Sequence, residues 1–140
     1  SDTRPEVVER VAQLWTSLGA MVLMMDVQDH DRILAQTSHL PHLLAYALVD
    51  LLAVENEDLA VFQYAAGGFR DFSRIAASDV SMWRDIFISN KKELLAAVRT
   101  YRARLEGLEK LIEDDQFDQL EQVLSRAKAA RDYFTSINDN

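Results

Sequence analysis

Two short stretches hold the residue types that can do chemistry. The first is TSHLPH, residues 37–42. His39 and His42 are three apart, so on a helix they share a face. Ser38 sits beside them, and Pro41 between them removes a backbone donor. A same-face histidine pair can ligate a metal, or it can hydrogen-bond an anionic or carbonyl ligand. The metal option lacks further ligands: the chain has no cysteine, and His30 lies two to three turns away. No metal is expected. The plainer alternative is two structural histidines with satisfied ring nitrogens.

The second stretch is AAGGFRDFSRIAASDVSMW, residues 65–83. Gly67 and Gly68 permit close approach of backbone to a ligand or a neighbouring helix. Arg70 and Arg74 are four apart and share a helix face, and Asp71 lies three before Arg74, within pairing reach. A guanidinium is well matched to a carboxylate, which its fork of donors can grip at two points. Met82 and Trp83, on the first turn of the following helix, can cover an apolar ring. An ordinary amphipathic helix with a surface Arg–Asp pair is the alternative, and such a pair is worth little. By residue chemistry alone the chain is a helical domain with a candidate carboxylate-binding cleft.

The elements that must hold these residues are helical. Residues 5–18 read as an amphipathic helix, with Pro5 in the first turn, Val8, Val11, Trp15 and Leu18 at helical spacing, and Gly19 as the stop. AMVLMM (20–25) is β-permissive and reads as an edge strand or extended connector. Asp26 is placed to cap a helix over about 27–54, kinked at Pro41. ENED (55–58) breaks or caps, a helix over about 58–66 stops at Gly67-Gly68, and a short one covers 69–76. Ser78 or Asp79 caps a long helix from Val80. Its second half carries Leu94, Val98, Tyr101, Leu105, Leu108 and Ile112 in 4-3-4-3-4 spacing, the seam of a helix packed lengthwise on another. EDDQ (113–116) is a turn. A last helix with Phe117, Leu120, Leu124, Ala127, Phe134 and Ile137 completes an antiparallel hairpin, and the closing NDN is expected to fray. The expected fold is mostly α, five or six helices ending in a long hairpin, in one domain spanning 1–140.

Composition sets the outer limits. A chain of 140 residues, 49% hydrophobic and 27% charged, supports one core and is not of disordered type. Four glycines and two prolines are too few for the turns of a sandwich or barrel. The absence of cysteine suits a reducing cytoplasm. No unbroken apolar run approaches the roughly 18 residues of a membrane span, and no membrane partner is expected. A net charge of −8 argues against nucleic acid, which needs a basic face. There is no Gly-rich strand–loop–helix unit for a dinucleotide, no P-loop and no nucleophile elbow.

TSHLPHLLAYALVD (37–50) together with AAGGFRDFSRIAASDVSMWRDIFISNKKELL (65–95) closely resembles the prephenate/arogenate dehydrogenase family, in its C-terminal helical domain. The resemblance covers essentially the whole chain, and MVLMMDVQDHDRILA (21–35) looks like the family's strand-then-helix lead-in to this domain. It implies an oxidative decarboxylation in tyrosine biosynthesis: hydride leaves prephenate for NAD or NADP, and loss of CO2 gives 4-hydroxyphenylpyruvate. In the family the nucleotide and the catalytic histidine belong to an N-terminal Rossmann domain. The resemblance therefore implies no catalytic residue and no bound cofactor in this chain, and no activity for it alone.

Carried over motif by motif, Arg74 in DFSRIA is expected to grip a substrate carboxylate. His39 is expected to face the substrate, with Ser38 beside it and His42 one turn on. Asp71 would orient Arg74 or help gate the cleft. Met82 and Trp83 would reach the cleft, from the same chain or the partner's. Gly67, Gly68 and Arg70 would support it. The family pairs through this domain with helices interleaved, which implies a homodimer and gives the 94–112 seam a purpose. Tyrosine is a candidate feedback inhibitor. A freestanding helical interaction module that keeps the fold without the chemistry is the alternative.

Overall fold

The computed structural model describes residues 3–56 and 59–138. The helix α1 (Pro5–Ser17) is followed by α2 (Val27–Leu34), a π turn (Ala35–His39) and α3 (Leu40–Glu55). A 3-10 turn (Ala60–Tyr64), α4 (Gly67–Ser73) and a second 3-10 turn (Arg74–Ala77) lead into α5 (Val80–Ser89). The chain ends in α6 (Lys91–Glu113) and α7 (Phe117–Asn138). With Val27–Glu55 counted as one helix carrying a π turn, the described residues form six α-helices, within the five or six that the sequence implies. ENED and NDN fall partly on 57–58 and 139–140, outside the described residues.

Local chemistry explains several boundaries. Gly19, at φ 84°, ends α1: its N–H reaches the Thr16 carbonyl and that of Ala20 reaches Trp15, the paired bonds of a Schellman stop. The same pattern ends α6. Asp115 takes φ 53°, its N–H meets the Ile112 carbonyl and the Gln116 N–H meets Leu111, so the chain reverses into α7. Asp79 caps α5 by accepting the Met82 N–H at 2.7 Å.

Three expectations are corrected, and of the two readings of residues 20–25 the connector holds. Residues 20–25 connect α1 to α2, and among the described residues there is no strand for them to pair with. Residues 60–64 form a 3-10 turn rather than the end of an α-helix, and Gly67-Gly68 open α4 instead of stopping its predecessor. The long helix from Val80 is two helices, broken at Asn90 (φ −110°, ψ 31°). Finally, Val27–Glu55 has no unbroken apolar run, yet as a 29-residue helix it is long and apolar enough, by length and composition, to cross a bilayer. It carries His39, Pro41, His42 and Asp50, and α4, α6 and the second 3-10 turn pack on it.

The core is small. Ala35, Ala45, Trp83, Leu94 and Ala97 are the buried apolar residues, where α6 begins beneath the π turn. The chain exposes 11645 Å², against about 7,300 Å² for a compact monomer of 15.9 kDa. Much of the surplus is apolar: Val11, Leu14, Trp15 and Leu18 on α1, Leu105 and Ile112 on α6, and Leu124 and Phe134 on α7. A surface of that kind ordinarily has something covering it.

Candidate functional site

Pro41 shapes the site. It offers no N–H to the Thr37 carbonyl four residues back, and its ring crowds that carbonyl. The backbone answers by widening into the π turn, in which the Leu40 N–H reaches back five residues to Ala35. His39 is buried at the end of this turn, and His42 is half-buried just after it. The His42 Nδ1 lies 2.9 Å from the Ser38 carbonyl. A carbonyl only accepts, so Nδ1 carries the proton and a neutral His42 presents Nε2 as an acceptor.

Trp83 comes to both histidines from α5. Its ring is stacked on His42, with centroids 3.6 Å apart and planes 20° from parallel. It meets His39 edge-on at 6.2 Å and leans on Phe87 at 5.6 Å. The stack is intramolecular, so this chain's own Trp83 lines this chain's histidines. The indole Nε1–H is buried with no hydrogen-bond partner, the single such side-chain atom among the described residues. An unmet donor in that position costs about 1–3 kcal/mol.

Asn90 closes the cluster from below. Its Nδ2 donates to the Asp31 carbonyl at 2.7 Å and lies 3.2 Å from His39 Nδ1. Burial pushes the His39 pKa below 6.5; the nearby Asp31 opposes this, while His30 and His42 add to it. His39 is therefore neutral near pH 7.

The Arg70, Asp71 and Arg74 side chains are exposed, and no ion pair or hydrogen bond engages them. The Asp71–Arg74 pairing allowed by spacing does not form. Both guanidiniums stand free one turn apart. Arg70 is on α4 and Arg74 opens the second 3-10 turn, whose end is fastened to α3 by the Tyr46 hydroxyl, which donates to the Ser78 carbonyl at 2.8 Å. Met82 is half exposed. Gly67 and Gly68 meet nothing within 4 Å where a side chain would stand, so nothing inside the chain uses the room they leave.

The structure thus joins His39, His42 and Trp83 in one node, with Ser38 supplying a carbonyl. It leaves Arg70, Asp71, Arg74 and Met82 at the surface of neighbouring elements. Asn90 and Tyr46 escape the sequence reading. The one available signal for Asn90 is a poor helix former in mid-helix. Among the described residues no group of three His, Cys, Asp or Glu could hold a metal.

The described residues form a helical module with a histidine–tryptophan node, unpaired arginines and an uncovered apolar seam. Residues 26–126 match the family model described as "Prephenate dehydrogenase, dimerization domain", and the chain belongs to that family. It is 32% identical over 131 residues to the cyclohexadienyl dehydrogenase of Zymomonas mobilis, covering 92% of this chain and 45% of that protein. It is 33% identical to the prephenate dehydrogenase of Bacillus subtilis, covering 93% of this chain and 35% of that one. The solved prephenate dehydrogenase from A. aeolicus, in complex with hydroxyphenyl propionate and NAD+, superposes with a TM-score of 0.89 at 36% identity, over 96% of this chain and 47% of its own. The Synechocystis arogenate dehydrogenase gives 0.81 at 30%, over 94% and 49%. The chain spans less than half the length of each of these relatives.

Proposed function

We propose that this chain is the C-terminal substrate-binding and dimerisation domain of a cytoplasmic NAD- or NADP-dependent dehydrogenase acting on prephenate or arogenate in tyrosine biosynthesis. The whole enzyme would take hydride from the ring carbon bearing the hydroxyl and release CO2 as the ring aromatises. Prephenate would yield 4-hydroxyphenylpyruvate. NAD is the first candidate cofactor, because the A. aeolicus relative was solved with it. This chain's residues do not fit the nucleotide: among the described residues there is no strand from which a Gly-rich loop could lead into a helix. Cofactor and general base are assigned to the remainder of the protein, and the fragment alone is inactive.

The observation that carries this reading is the convergence of TSHLPH and SDVSMW on one node. In this account Arg74 grips a substrate carboxylate and Arg70 adds positive potential, while Asp71 orients Arg74 once a ligand is bound. His39, His42 and Trp83 position the ring and side chain, with Ser38 holding His42 and Met82 covering the opening. Gly67 and Gly68 leave room for ligand or partner. Tyrosine, which shares a carboxylate and a ring with the substrate, would compete for the same cleft.

Two features support the larger assembly. The surplus surface, about 4,300 Å² per chain, exceeds one chain's share of an obligate dimer interface and leaves area for the rest of the enzyme as well. Residues 5–25 precede the family match and leave the apolar face of α1 and residues 20–25 uncovered, as suits a segment packed on the rest of the enzyme. The test is direct: the full-length protein should form reduced nicotinamide from prephenate or arogenate with NAD+ or NADP+. Absence of turnover with all four combinations would overturn the proposal.

A further inference from the structure

Asn90 is the residue that the reading above leaves without a role, although it is 7% exposed and breaks a helix. Its amide group can be oriented in only one way. The Asp31 carbonyl, 2.7 Å away, accepts and cannot donate, so the NH2 end must face it. The same NH2 end is 3.2 Å from His39 Nδ1. One amide hydrogen serves Asp31 and the other serves the imidazole. His39 Nδ1 is then an acceptor, and the ring proton is on Nε2.

We propose that Asn90 is a positioning residue that holds His39 as the Nε2–H tautomer, presenting a hydrogen-bond donor to the ligand. His42 has the opposite arrangement, because the Ser38 carbonyl at 2.9 Å keeps its proton on Nδ1. The two imidazoles beside Trp83 therefore offer different edges, a donor on His39 and an acceptor on His42. His39 Nε2 has no protein partner, and it is not sealed from solvent as the Trp83 indole nitrogen is. The corner at Asn90 is what makes this possible. At the break the Asn90 side chain reaches back to the Asp31 carbonyl of α2. Charging His39 would set an Nδ1–H against the amide hydrogens, so Asn90 also favours the neutral ring, in line with the effect of burial.

This inference rests on the proposed function only in naming prephenate as the ligand. The experiment uses the full-length enzyme with isotope-labelled histidine, the His39 signals being assigned by their loss in His39→Gln. In the wild type, nitrogen shifts should show Nδ1 unprotonated and Nε2 protonated at neutral pH. Asn90→Asp replaces the donor with an acceptor: the proton should move to Nδ1 and the titration of His39 should move to higher pH. Asn90→Ala should give mixed tautomers. The KM for prephenate should rise about tenfold in both variants, the worth of one hydrogen bond. A wild-type His39 with its proton on Nδ1 overturns the proposal without any variant, and so does a titration that Asn90→Asp does not move. If the tautomer moves while KM stays fixed, Asn90 still positions His39, but His39 does not face the substrate and the functional reading of that residue fails.

Discussion

The Trp83 indole and the His42 imidazole lie face to face, 3.6 Å between centroids, and this stack joins the two motifs that carry the chemistry. It ties α5 to α3 with no hydrogen bond, through ring overlap worth about 0.5–1.5 kcal/mol beyond burial. Trp83→Ala should cost roughly 3–5 kcal/mol in denaturant unfolding, the usual range for a buried tryptophan. Trp83→Phe separates packing from polarity. It keeps a ring on His42 and removes the unmet N–H, so its stability cost should be less than half that of the alanine variant. Its KM for prephenate should stay near that of the wild type, because the indole nitrogen is sealed from solvent and from the ligand. A KM raised about tenfold in Trp83→Phe would show that the indole N–H does reach the substrate.

His39 makes stability depend on pH. Its folded-state pKa is held below 6.5, chiefly by burial. Above 6.5 the ring is neutral in both states and the contribution is complete. As pH falls below 6.5 the unfolded chain takes up the proton first, so stability declines until the folded pKa is passed. Urea midpoints measured from pH 8 to pH 5 should fall in the wild type, and His39→Gln should flatten that part of the decline. Equal slopes in the two proteins would contradict the burial argument.

Asp79 acts in a lower window. Two bonds to the capped turn, the Met82 N–H first and the Ser81 hydroxyl second, hold its carboxyl below 3.8. Its contribution is present above 3.8 and disappears as pH drops through the folded pKa. Asp79→Ala should lower Tm at pH 7 and Asp79→Asn should lower it less. The gap between wild type and Asp79→Ala should close in acid. A gap that persists at pH 2 would mean the loss came from something other than the charged cap.

The hairpin seam should be an interface. Leu105 is 53% exposed and Leu124 is 59% exposed, on adjoining helices α6 and α7. Leu105→Asp should shift the mass from light scattering of the full-length protein from dimer toward monomer, while an exposed polar site on the same helix, Arg102→Gln, should not. A dimer untouched by both changes would place the interface elsewhere.

Much of this was legible in the sequence, for physical reasons. Gly19 and Asp79 gave the helix ends because their roles depend on a residue's own backbone freedom or side-chain oxygen. The hairpin was legible because 4-3-4 spacing is a property of one helix face. What was missed depends on distant parts of the chain. Asn90 was read as helix interior because apolar residues continue on both sides of it; its reason for breaking lies in Asp31 and His39, more than fifty residues away. Gly67-Gly68 reads equally as a stop or a start, and local sequence does not choose. The Asp71–Arg74 pair had the right spacing but is not formed, since exposed pairs gain too little to fix long side chains. The two motifs were recognisable one by one, but that His42 lies on Trp83 follows only from how α3 meets α5.

The most direct test of the central claim is the KM for prephenate of the full-length enzyme carrying Arg74→Ala, measured beside Arg74→Lys and with the melting temperature of each. Arg74 is exposed and pairs with nothing in the structure, so the account predicts an unchanged Tm. It predicts a KM raised about 10- to 100-fold in the alanine variant, the worth of a charge-assisted bond to a carboxylate, and a smaller rise with lysine. A KM equal to that of the wild type would contradict the carboxylate role of Arg74 and with it the placement of the substrate against this domain.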